Sequence, residues 1–441
     1  MKLSAMQIQA IVDATKTPTP EQVRVVEAPR RPLLVVAGAG SGKTETMSMR
    51  VLWLLANHPD LTPASILGLT FTRKAAGELG DRLRERIRLL SREMPQMRER
   101  LDEDPVALTY NSFAERIVSE HGMRIGIDPD FAMLSEAGAL DLMTQIVEAW
   151  PTDLDETLSP AGVVGKILHL AGEIAEHGYT VETAREALEE FGRELEQVGR
   201  GNDVARNVID ANHRRLAFLG PIEAYQQRKR DMGVLDFSDQ LVLATRIVRE
   251  APAVRAALRD EFRAVLLDEF QDTSVIQMEL LSTLFGDHAV TAVGDPNQAI
   301  YGWRGASASS LETFLERFQT GVAEEDQTLT LSTAWRNDVS ILDAANRVAA
   351  PLREVASYQQ GKNALKAQSP VLVPRPGAGQ GRVEIAYTQA YDQALAAMVD
   401  FVQRVRSQPV KDGKRRTVAV LSRRRKDFPL IDAALREAGI P

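Results

Sequence analysis

The chain has 441 residues, which is too long for one ordinary hydrophobic core and predicts about two to four domains. It contains no cysteine, and this excludes disulfides, thiol catalysis and cysteine-ligated metals. The formal net charge of −8 argues against a surface that is basic all over. It does not exclude nucleic acid, because a binding channel needs only local positive charge.

No stretch approaches the run of about 18 apolar residues that a membrane-spanning helix needs. The N-terminal residues also lack the apolar core of an export signal. These two observations predict a cytoplasmic protein that does not cross a membrane.

The first 32 residues predict two short helices. The second of them runs to about Glu27, and either Thr17 or Thr19 can cap its first turn.

Residues 33–44 combine an apolar run of strand length, a glycine-rich turn and the start of a helix. Such a turn points backbone N–H groups and a positive helix end at an anion, and Lys43 adds a charge for the β- and γ-phosphates. Thr44 carries the hydroxyl expected on Mg²⁺. The strict phosphate-loop pattern has Gly where this chain has Ala37, and the alternative is a glycine-rich turn with a chance lysine. The strand before the turn and the helix after it favour a nucleoside triphosphate site.

Residues 66–71 and 106–110 predict two more strands. A helix that begins near Thr72 extends into an arginine-rich stretch from Arg82 to Arg100. A solvated helix face with ion pairs four residues apart is the favoured use of most of these arginines.

From residue 114 to about 215 apolar residues recur at helical spacing, which predicts a helical insertion. Residues 233–239 resume the first domain, and residues 262–269 and 289–294 predict buried strands. After a linker at 373–381, the tail predicts strands at 382–386 and 417–421 and helices at 391–407 and 428–438.

Asp268 and Glu269 follow directly on the apolar part of the strand predicted at 262–269. Hydrolysis of a phosphoanhydride needs Mg²⁺ and a group that orients or deprotonates water. We expect Asp268 to bind the metal and Glu269 to act on the water. Alone, an acidic pair at a strand end is common on protein surfaces, but here Gln271 and Asp272 follow in the same run.

The loop at 294–305 follows the next strand. Gln298 can reach a γ-phosphate from this position. Tyr301, Trp303 and Arg304 bring aromatic and cationic groups together, and aromatic faces stack on bases without sequence preference. The alternative is an aromatic pair in an ordinary core.

Taken together, residues 18–22, 37–44, 69–76, 268–272 and 294–306 resemble the motifs of superfamily 1 DNA helicases of the UvrD/PcrA/Rep type, in the same order. Residues 33–79 also resemble the actinobacterial AdnA/AdnB helicase–nucleases. The resemblance implies an α/β fold: a RecA-like phosphate-loop NTPase domain with a helical insertion and a partial second RecA-like domain.

The resemblance also assigns roles at the nucleotide. Gln22 would read the adenine edge, Trp335 would stack on adenine where the family usually has Tyr, and Arg336 would touch the γ-phosphate. The catalytic residues would then be Glu269, Lys43 and Arg336, with Thr44 and Asp268 on the metal. The residues expected to bind ATP are Gln22, Ala37, Gly38, Ala39, Gly40, Ser41, Gly42, Lys43, Thr44, Gln298, Trp335 and Arg336.

For single-stranded DNA, the resemblance implies contacts at several of these loops. The residues expected to bind DNA are Phe71, Thr72, Arg73, Thr109, Tyr301, Trp303 and Arg304. Asn111 replaces the family's usual histidine, so the resemblance does not assign a DNA contact to this position.

The predicted domains are a nucleotide-binding domain at 1–113 and 216–316, the helical insertion at 114–215 and an incomplete second domain at 317–441. The family's last motifs would follow Pro441, so we expect an N-terminal portion of a longer protein or a truncated product.

The implied activity is ATP- and Mg²⁺-dependent 3′→5′ movement on single-stranded DNA, used to unwind duplex DNA in repair, with a partner helicase or nuclease subunit as a possibility. Two alternatives stay open: an ATPase that acts on something other than DNA, and a DNA-binding fragment without turnover.

Overall fold

The structure, a computed structural model, describes residues 2–155, 157–198, 201, 203–302, 310–318, 327–358, 368–408 and 416–440. The α-helices in these residues are α1 (Ala5–Asp13), α2 (Pro20–Glu27), α3 (Lys43–Asn57), α4 (Arg73–Glu93), α5 (Tyr110–His121), α6 (Glu136–Glu148), α7 (Pro160–Glu176), α8 (Val181–Val198), α9 (Asp203–Met232), α10 (Phe237–Glu250), α11 (Pro252–Glu261), α12 (Val275–Phe285), α13 (Ser310–Arg317), α14 (Val339–Tyr358), α15 (Tyr391–Arg406) and α16 (Phe428–Glu437). The strands are β1 (Leu33–Ala37), β2 (Ile66–Thr70), β3 (Val106–Thr109), β4 (Ala132–Met133), β5 (Val234–Leu235), β6 (Ala264–Leu267), β7 (Val290–Gly294), β8 (Thr328–Leu331), β9 (Thr333–Ala334) and β10 (Val373–Pro374).

Six strands form one parallel sheet in the order β3-β2-β6-β7-β1-β8. Parallel strands need helical crossovers, and helices accordingly cover both faces of this sheet. This architecture confirms the predicted α/β fold class. Because all six strands point the same way, their carboxyl ends meet at one edge, where α/β sheets bind ligands.

Alternate residues of the strands enter two different cores. Leu34 and Val36 pack with α5, α10 and α12 on one face. Leu33 and Val35 pack with α3 and α4 on the other. The period-2 alternation of side chains in a strand produces this division, and it fixes the register of the sheet.

Helix α2 begins where the sequence predicts a cap, and Thr19 is the residue that provides it. The Gln22 backbone N–H donates to Thr19 Oγ1 over 3.2 Å, while Thr19 N–H donates to Gln22 Oε1 over 3.0 Å. This reciprocal capping box satisfies two donors that the helix end leaves open.

The helical insertion has a core of its own, formed by residues of α6, α7, α8 and α9. At its predicted start, residue 114, the structure has helix α5, whose residues Phe113, Ala114, Ile117 and Val118 pack in the first core with α10. At the predicted return to the first domain, residue 216, helix α9 continues as far as Met232.

The predicted boundary at 316/317 differs from the structure as well. Strand β8 pairs in parallel with β1, from Leu34 opposite Thr328 to Ala37 opposite Leu331. The sequence did not predict this half-buried edge strand. By its contacts, the chain divides into units Met1–Gly379 and Gln380–Pro441.

In the second unit the predicted helices are present as α15 and α16, but the predicted strands at 382–386 and 417–421 are absent from these described residues. Ile385 is 91% exposed and Leu421 is 93% exposed. An apolar run forms a strand only when a neighbouring strand pairs with it, and the described residues provide none here. Nowhere in the described part of the chain is a helix long and apolar enough to cross a membrane.

Candidate functional site

The turn at residues 38–42 joins the carboxyl end of β1 to the first residue of α3. Gly42 adopts φ +82°, a left-handed conformation in which an L side chain is strained. A Cβ there would also lie 3.2 Å from Gln22 Nε2 and 3.6 Å from Trp335 Cδ1. No side chain of the described residues caps the first turn of α3, so its N–H groups and helix dipole are directed at the turn. This geometry can hold phosphate.

Lys43 and Glu269 face each other across this turn. The Lys43 Nζ lies 3.0 Å from Glu269 Oε2. The pair brings the predicted phosphate-binding cation together with the predicted water-activating carboxylate. Glu269 has φ +49°, the only positive φ of a non-glycine residue in the described chain. Such conformations cost of order 1–3 kcal/mol and cluster at functional sites.

Asp268 is buried beside this pair, with its Oδ1 accepting the Glu269 backbone N–H over 3.1 Å. Burial, and next the negative charge of Glu269, raise the pKa of Asp268 to about 6, while Lys43 acts in the opposite direction. Placing a carboxylate in such a poorly solvated position favours a cation beside it.

The residues present fit a Mg²⁺ ion that is also held by phosphate. The described residues contain no group of three or more His, Asp or Glu side chains that could hold a metal by themselves. A site with so few protein ligands is sufficient for Mg²⁺, because this ion prefers oxygen ligands, keeps several waters and binds through one or two carboxylates plus phosphate oxygens. Asp268 and the Thr44 hydroxyl are the predicted protein ligands.

A cavity of about 230 Å³ lies next to the turn. Its lining includes Gln22 of α2, Trp335 just after β9, and Gly42 and Glu45 at the turn and the start of α3. Gln22 Nε2 donates to Thr46 Oγ1 over 3.2 Å, which fixes the amide at the cavity wall. The cavity can take a flat ring between an amide edge and an indole face.

Trp335 and Arg336 reach this site because the chain after β9 attaches to the turn. The Trp335 backbone N–H donates to the Gly40 carbonyl over 2.8 Å. A Cβ added to Gly40 would lie 3.2 Å from the Cβ of Arg336. Ser332 N–H and Oγ donate to the two carboxylate oxygens of Glu21, over 2.8 and 2.7 Å, so α2 is also joined to the residue between β8 and β9. The sequence alone indicates no role for Glu21.

Gln298 does not contact the Lys43–Glu269 pair in the described residues. Its Nε2 donates instead to Asp295 Oδ2 over 2.7 Å. The link from the acidic pair to this loop is Gln271, whose amide contacts both Glu269 and Asp295. In the sequence Gln271 belongs to the acidic motif, but no function is predicted for it, because its partner at the end of β7 is known only from the fold.

The predicted DNA contacts in the described residues form a surface at or after the carboxyl ends of β2, β3 and β7, at the same edge of the sheet. The rings of Phe71 and Tyr301 stack with centroids 4.6 Å apart and an interplanar angle of 30°. A neighbouring cavity of about 450 Å³ is lined by Phe71, Arg73, Thr109 and Asn111 among others. The surface therefore combines aromatic faces, an exposed arginine and amide groups.

Two predicted DNA contacts also have a structural role. Thr72 Oγ1 accepts the Ala75 N–H and caps α4. Thr109 Oγ1 accepts the Ser112 N–H and caps α5. Trp303 and Arg304 lie outside the described residues.

The fold and this edge together define a nucleotide-binding α/β domain of the phosphate-loop class. The model of the UvrD/REP helicase N-terminal domain matches residues 18–319, and the chain belongs to this family.

Individual relatives agree with the family. The chain is 30% identical over 329 residues to DNA helicase II of Escherichia coli (strain K12), a match that covers 74% of this chain and 39% of the relative. It is 28% identical over 347 residues to DNA helicase II of Haemophilus influenzae, covering 78% of this chain and 41% of the relative. It is 28% identical over 329 residues to the ATP-dependent DNA helicase PcrA of Leuconostoc citreum, covering 74% and 38%. The matched region thus spans about two fifths of the length of these relatives.

Proposed function

We propose that the chain forms the motor part of an ATP-dependent DNA helicase that moves 3′→5′ along single-stranded DNA and acts in DNA repair. The observation that carries this proposal is the Lys43–Glu269 pair at the phosphate loop, located at the same sheet edge as the Phe71–Tyr301 stack. A phosphate site and a stacking surface at one edge can be mechanically connected. The family and the names of the relatives support the ATP-dependent DNA helicase part of this proposal.

ATP with Mg²⁺ supplies the phosphoanhydride whose hydrolysis drives movement. In this proposal Trp335 stacks on the base and Gln22 reads its edge, while Lys43 neutralises phosphate oxygens. Thr44 and Asp268 hold the metal, and Arg336 faces the transferred phosphoryl group. Cations aimed at that group stabilise the charge that develops in the transition state.

Glu269 completes the site as the general base that takes a proton from the attacking water. Its carboxylate is oriented by two donors, Lys43 Nζ and Gln271 Nε2, both within 3.0 Å. A positioned base contributes typically 10²–10⁴-fold to rate.

Along the DNA, the Phe71 and Tyr301 rings offer faces on which bases stack, and Arg73 is exposed beside them. Stacking of this kind is worth about 1–3 kcal/mol per base and is independent of sequence. The Mg²⁺ requirement, the polarity, the repair role and a partner helicase or nuclease subunit are parts of this proposal that rest on the family resemblance.

Duplex substrates with one single-stranded tail test the function and the polarity together. We expect ATP-dependent unwinding of a duplex with a 3′ tail and none of the matching duplex with a 5′ tail. Unwinding from the 5′ tail would contradict the polarity. ATP hydrolysis without any response to either substrate would favour an ATPase that acts on something other than DNA.

A further inference from the structure

Gln271 lies where the acidic motif after β6 meets the end of β7. The side chain is 3% exposed. A Cβ added to Gly294, the last residue of β7, would lie 2.8 Å from Gln271 Oε1 and 3.1 Å from its backbone N. Only glycine therefore allows the glutamine to approach so closely. Such tight packing fixes the position of the amide.

Every polar atom of this amide is used. Its Nε2 donates to Glu269 Oε2 over 2.9 Å and to Asp272 Oδ2 over 3.1 Å. Its Oε1 accepts the backbone N–H of Asp295 over 3.0 Å. One end of the amide thus holds the proposed base, and the other end holds the start of the loop after β7.

The loop continues from Asp295 to the stacking surface. The Asp295 carboxylate accepts Gln298 Nε2 over 2.7 Å and the Asn297 N–H over 3.0 Å, which shapes the turn at Pro296–Gln298. The backbone N–H of Ile300 hydrogen-bonds to Asp272. Tyr301 follows immediately and stacks on Phe71. A shift of Tyr301 by DNA would therefore be transmitted to Asp272 and Asp295, two of the three hydrogen-bond partners of the Gln271 amide.

We propose that Gln271 is a positioning residue that couples DNA at the Phe71–Tyr301 surface to Glu269 in the nucleotide site. This inference rests on the proposed function, because it needs both ligands to bind. The proposed coupling is a difference in binding free energy. DNA and nucleotide favour the same arrangement of the 295–301 loop, so each ligand raises the affinity of the protein for the other.

The test measures this reciprocity without hydrolysis. The affinity for a short single-stranded oligonucleotide is measured with and without a non-hydrolysable ATP analogue and Mg²⁺, and the ratio is the coupling factor. Coupled sites typically give about 5–150-fold. We expect a factor in that range for the unchanged protein. In Gln271→Met, which keeps the side-chain length but removes the donors and the acceptor, the factor should fall to within about twofold of one.

Each ligand measured alone should bind Gln271→Met within about threefold of the unchanged protein, because Gln271 is not proposed to touch either ligand. A matched control is Asn212→Leu, which removes another buried amide, one that donates to the Leu188 carbonyl over 3.0 Å in the helical insertion. Asn212→Leu should keep the full coupling factor. If Gln271→Met does not give a cooperative melting curve, Gln271→Leu replaces it, since this apolar side chain also lacks the donors to Glu269 and the acceptor for Asp295.

The possible results separate the two proposals. A coupled unchanged protein with an equally coupled, folded Gln271 variant would overturn the role of Gln271 and leave the proposed function standing. An unchanged protein that binds both ligands independently would overturn both. Loss of coupling in the Gln271 variants, with coupling retained in Asn212→Leu, is the result that we expect.

Discussion

Lys43 and Glu269 are 226 positions apart in the chain, yet the ammonium and carboxylate groups are 3.0 Å apart. The sequence predicted both residues, each from its own local motif. It could not give their separation, because that depends on β1 and β6 ending at the same edge of the sheet. The pair contains the phosphate-binding cation and the base of the proposed reaction, and each of the two residues can be tested by its own substitution.

The first prediction concerns Glu269→Gln. This change keeps the size of the side chain and removes the basic oxygen, while Lys43, Thr44 and Asp268 are unchanged. We expect ATP affinity within about threefold of the unchanged protein and a fall in hydrolysis rate of at least about 100-fold. Equilibrium binding and turnover should be measured on the same preparation. Parallel loss of both would mean that Glu269 has a structural or binding role and is not the base.

The second prediction concerns Trp335, which is 38% exposed at the wall of the 230 Å³ cavity. Trp335→Ala should weaken ATP binding by about 1 kcal/mol, because an aromatic pair contributes about 0.5–1.5 kcal/mol beyond area burial. Trp335→Phe should retain most of the affinity. Competition with inorganic triphosphate separates base contacts from phosphate contacts, since triphosphate has no base. If Trp335→Ala weakened triphosphate binding as strongly as ATP binding, the indole would not be at the base.

At the scale of elements, Arg50 on α3 connects three parts of the nucleotide-binding unit. The side chain is 1% exposed. Its guanidinium donates to the carbonyls of Val25, Ala28 and Pro29 over 2.9–3.0 Å and to Thr291 Oγ1 over 2.8 Å. Burial lowers the pKa of Arg50 to about 10, so it is still charged at neutral pH. Arg50 therefore connects the C-terminal end of α2 to α3 and β7. Helix α2 also carries Gln22, in its first turn.

The third prediction is that Arg50→Met destabilises the protein by about 3 kcal/mol or more. The methionine fills much of the volume but leaves several buried carbonyls without a donor, each costing about 1–3 kcal/mol. Denaturant unfolding measures the change. The control is Arg246→Met at an exposed pair with Glu250, where a loss of about 0.5 kcal/mol or less is expected. A change below about 1 kcal/mol for Arg50→Met would show that its hydrogen bonds are easily replaced.

Elements were predictable where their signal is local and strong. The strands at 33–37, 66–70 and 290–294 are fully buried apolar runs, and the sequence predicted each of them. Strand β8 is half-buried at the edge of the sheet, and a pattern of that kind is weak. The strands predicted at 382–386 and 417–421 are absent although their apolar pattern is strong. Hydrophobicity indicates that a residue can be buried, but it does not indicate whether a neighbouring strand is there to pair with.

The parts of the site that the sequence missed are contacts between distant segments. Glu45 pairs with Arg86 over 2.5 Å from a position 41 residues away, and this accounts for one arginine of the stretch at 82–100. Arg100 donates to the carbonyls of Leu55, His58 and Leu61. Arg84 pairs with Asp81 on its own helix, at a spacing of three residues where the sequence predicted pairs four residues apart. Local spacing predicts only the last kind of contact.

At the scale of the whole molecule, one arrangement places the nucleotide and DNA residues together. The strands β1, β2, β6, β7 and β8 all end at the same edge of the sheet, and each is followed by residues with a proposed role. The order of the strands then brings the acidic motif after β6 between the loop after β2 and the loop after β7. Because the nucleotide site and the DNA surface share these loops, binding or hydrolysis at the nucleotide site can change the free energy of DNA binding. A motor requires this kind of coupling.

The fourth prediction is the direct test of this account, and it is the rate of ATP hydrolysis with and without single-stranded DNA. Because Tyr301 and Glu269 are connected through Gln271 and Asp272, DNA that shifts this loop should improve the position of the base and raise the rate of hydrolysis. Tyr301→Ala should lose most of this stimulation while its rate without DNA is retained. A rate that single-stranded DNA leaves unchanged, in a protein shown to bind both ATP and DNA, would contradict the account.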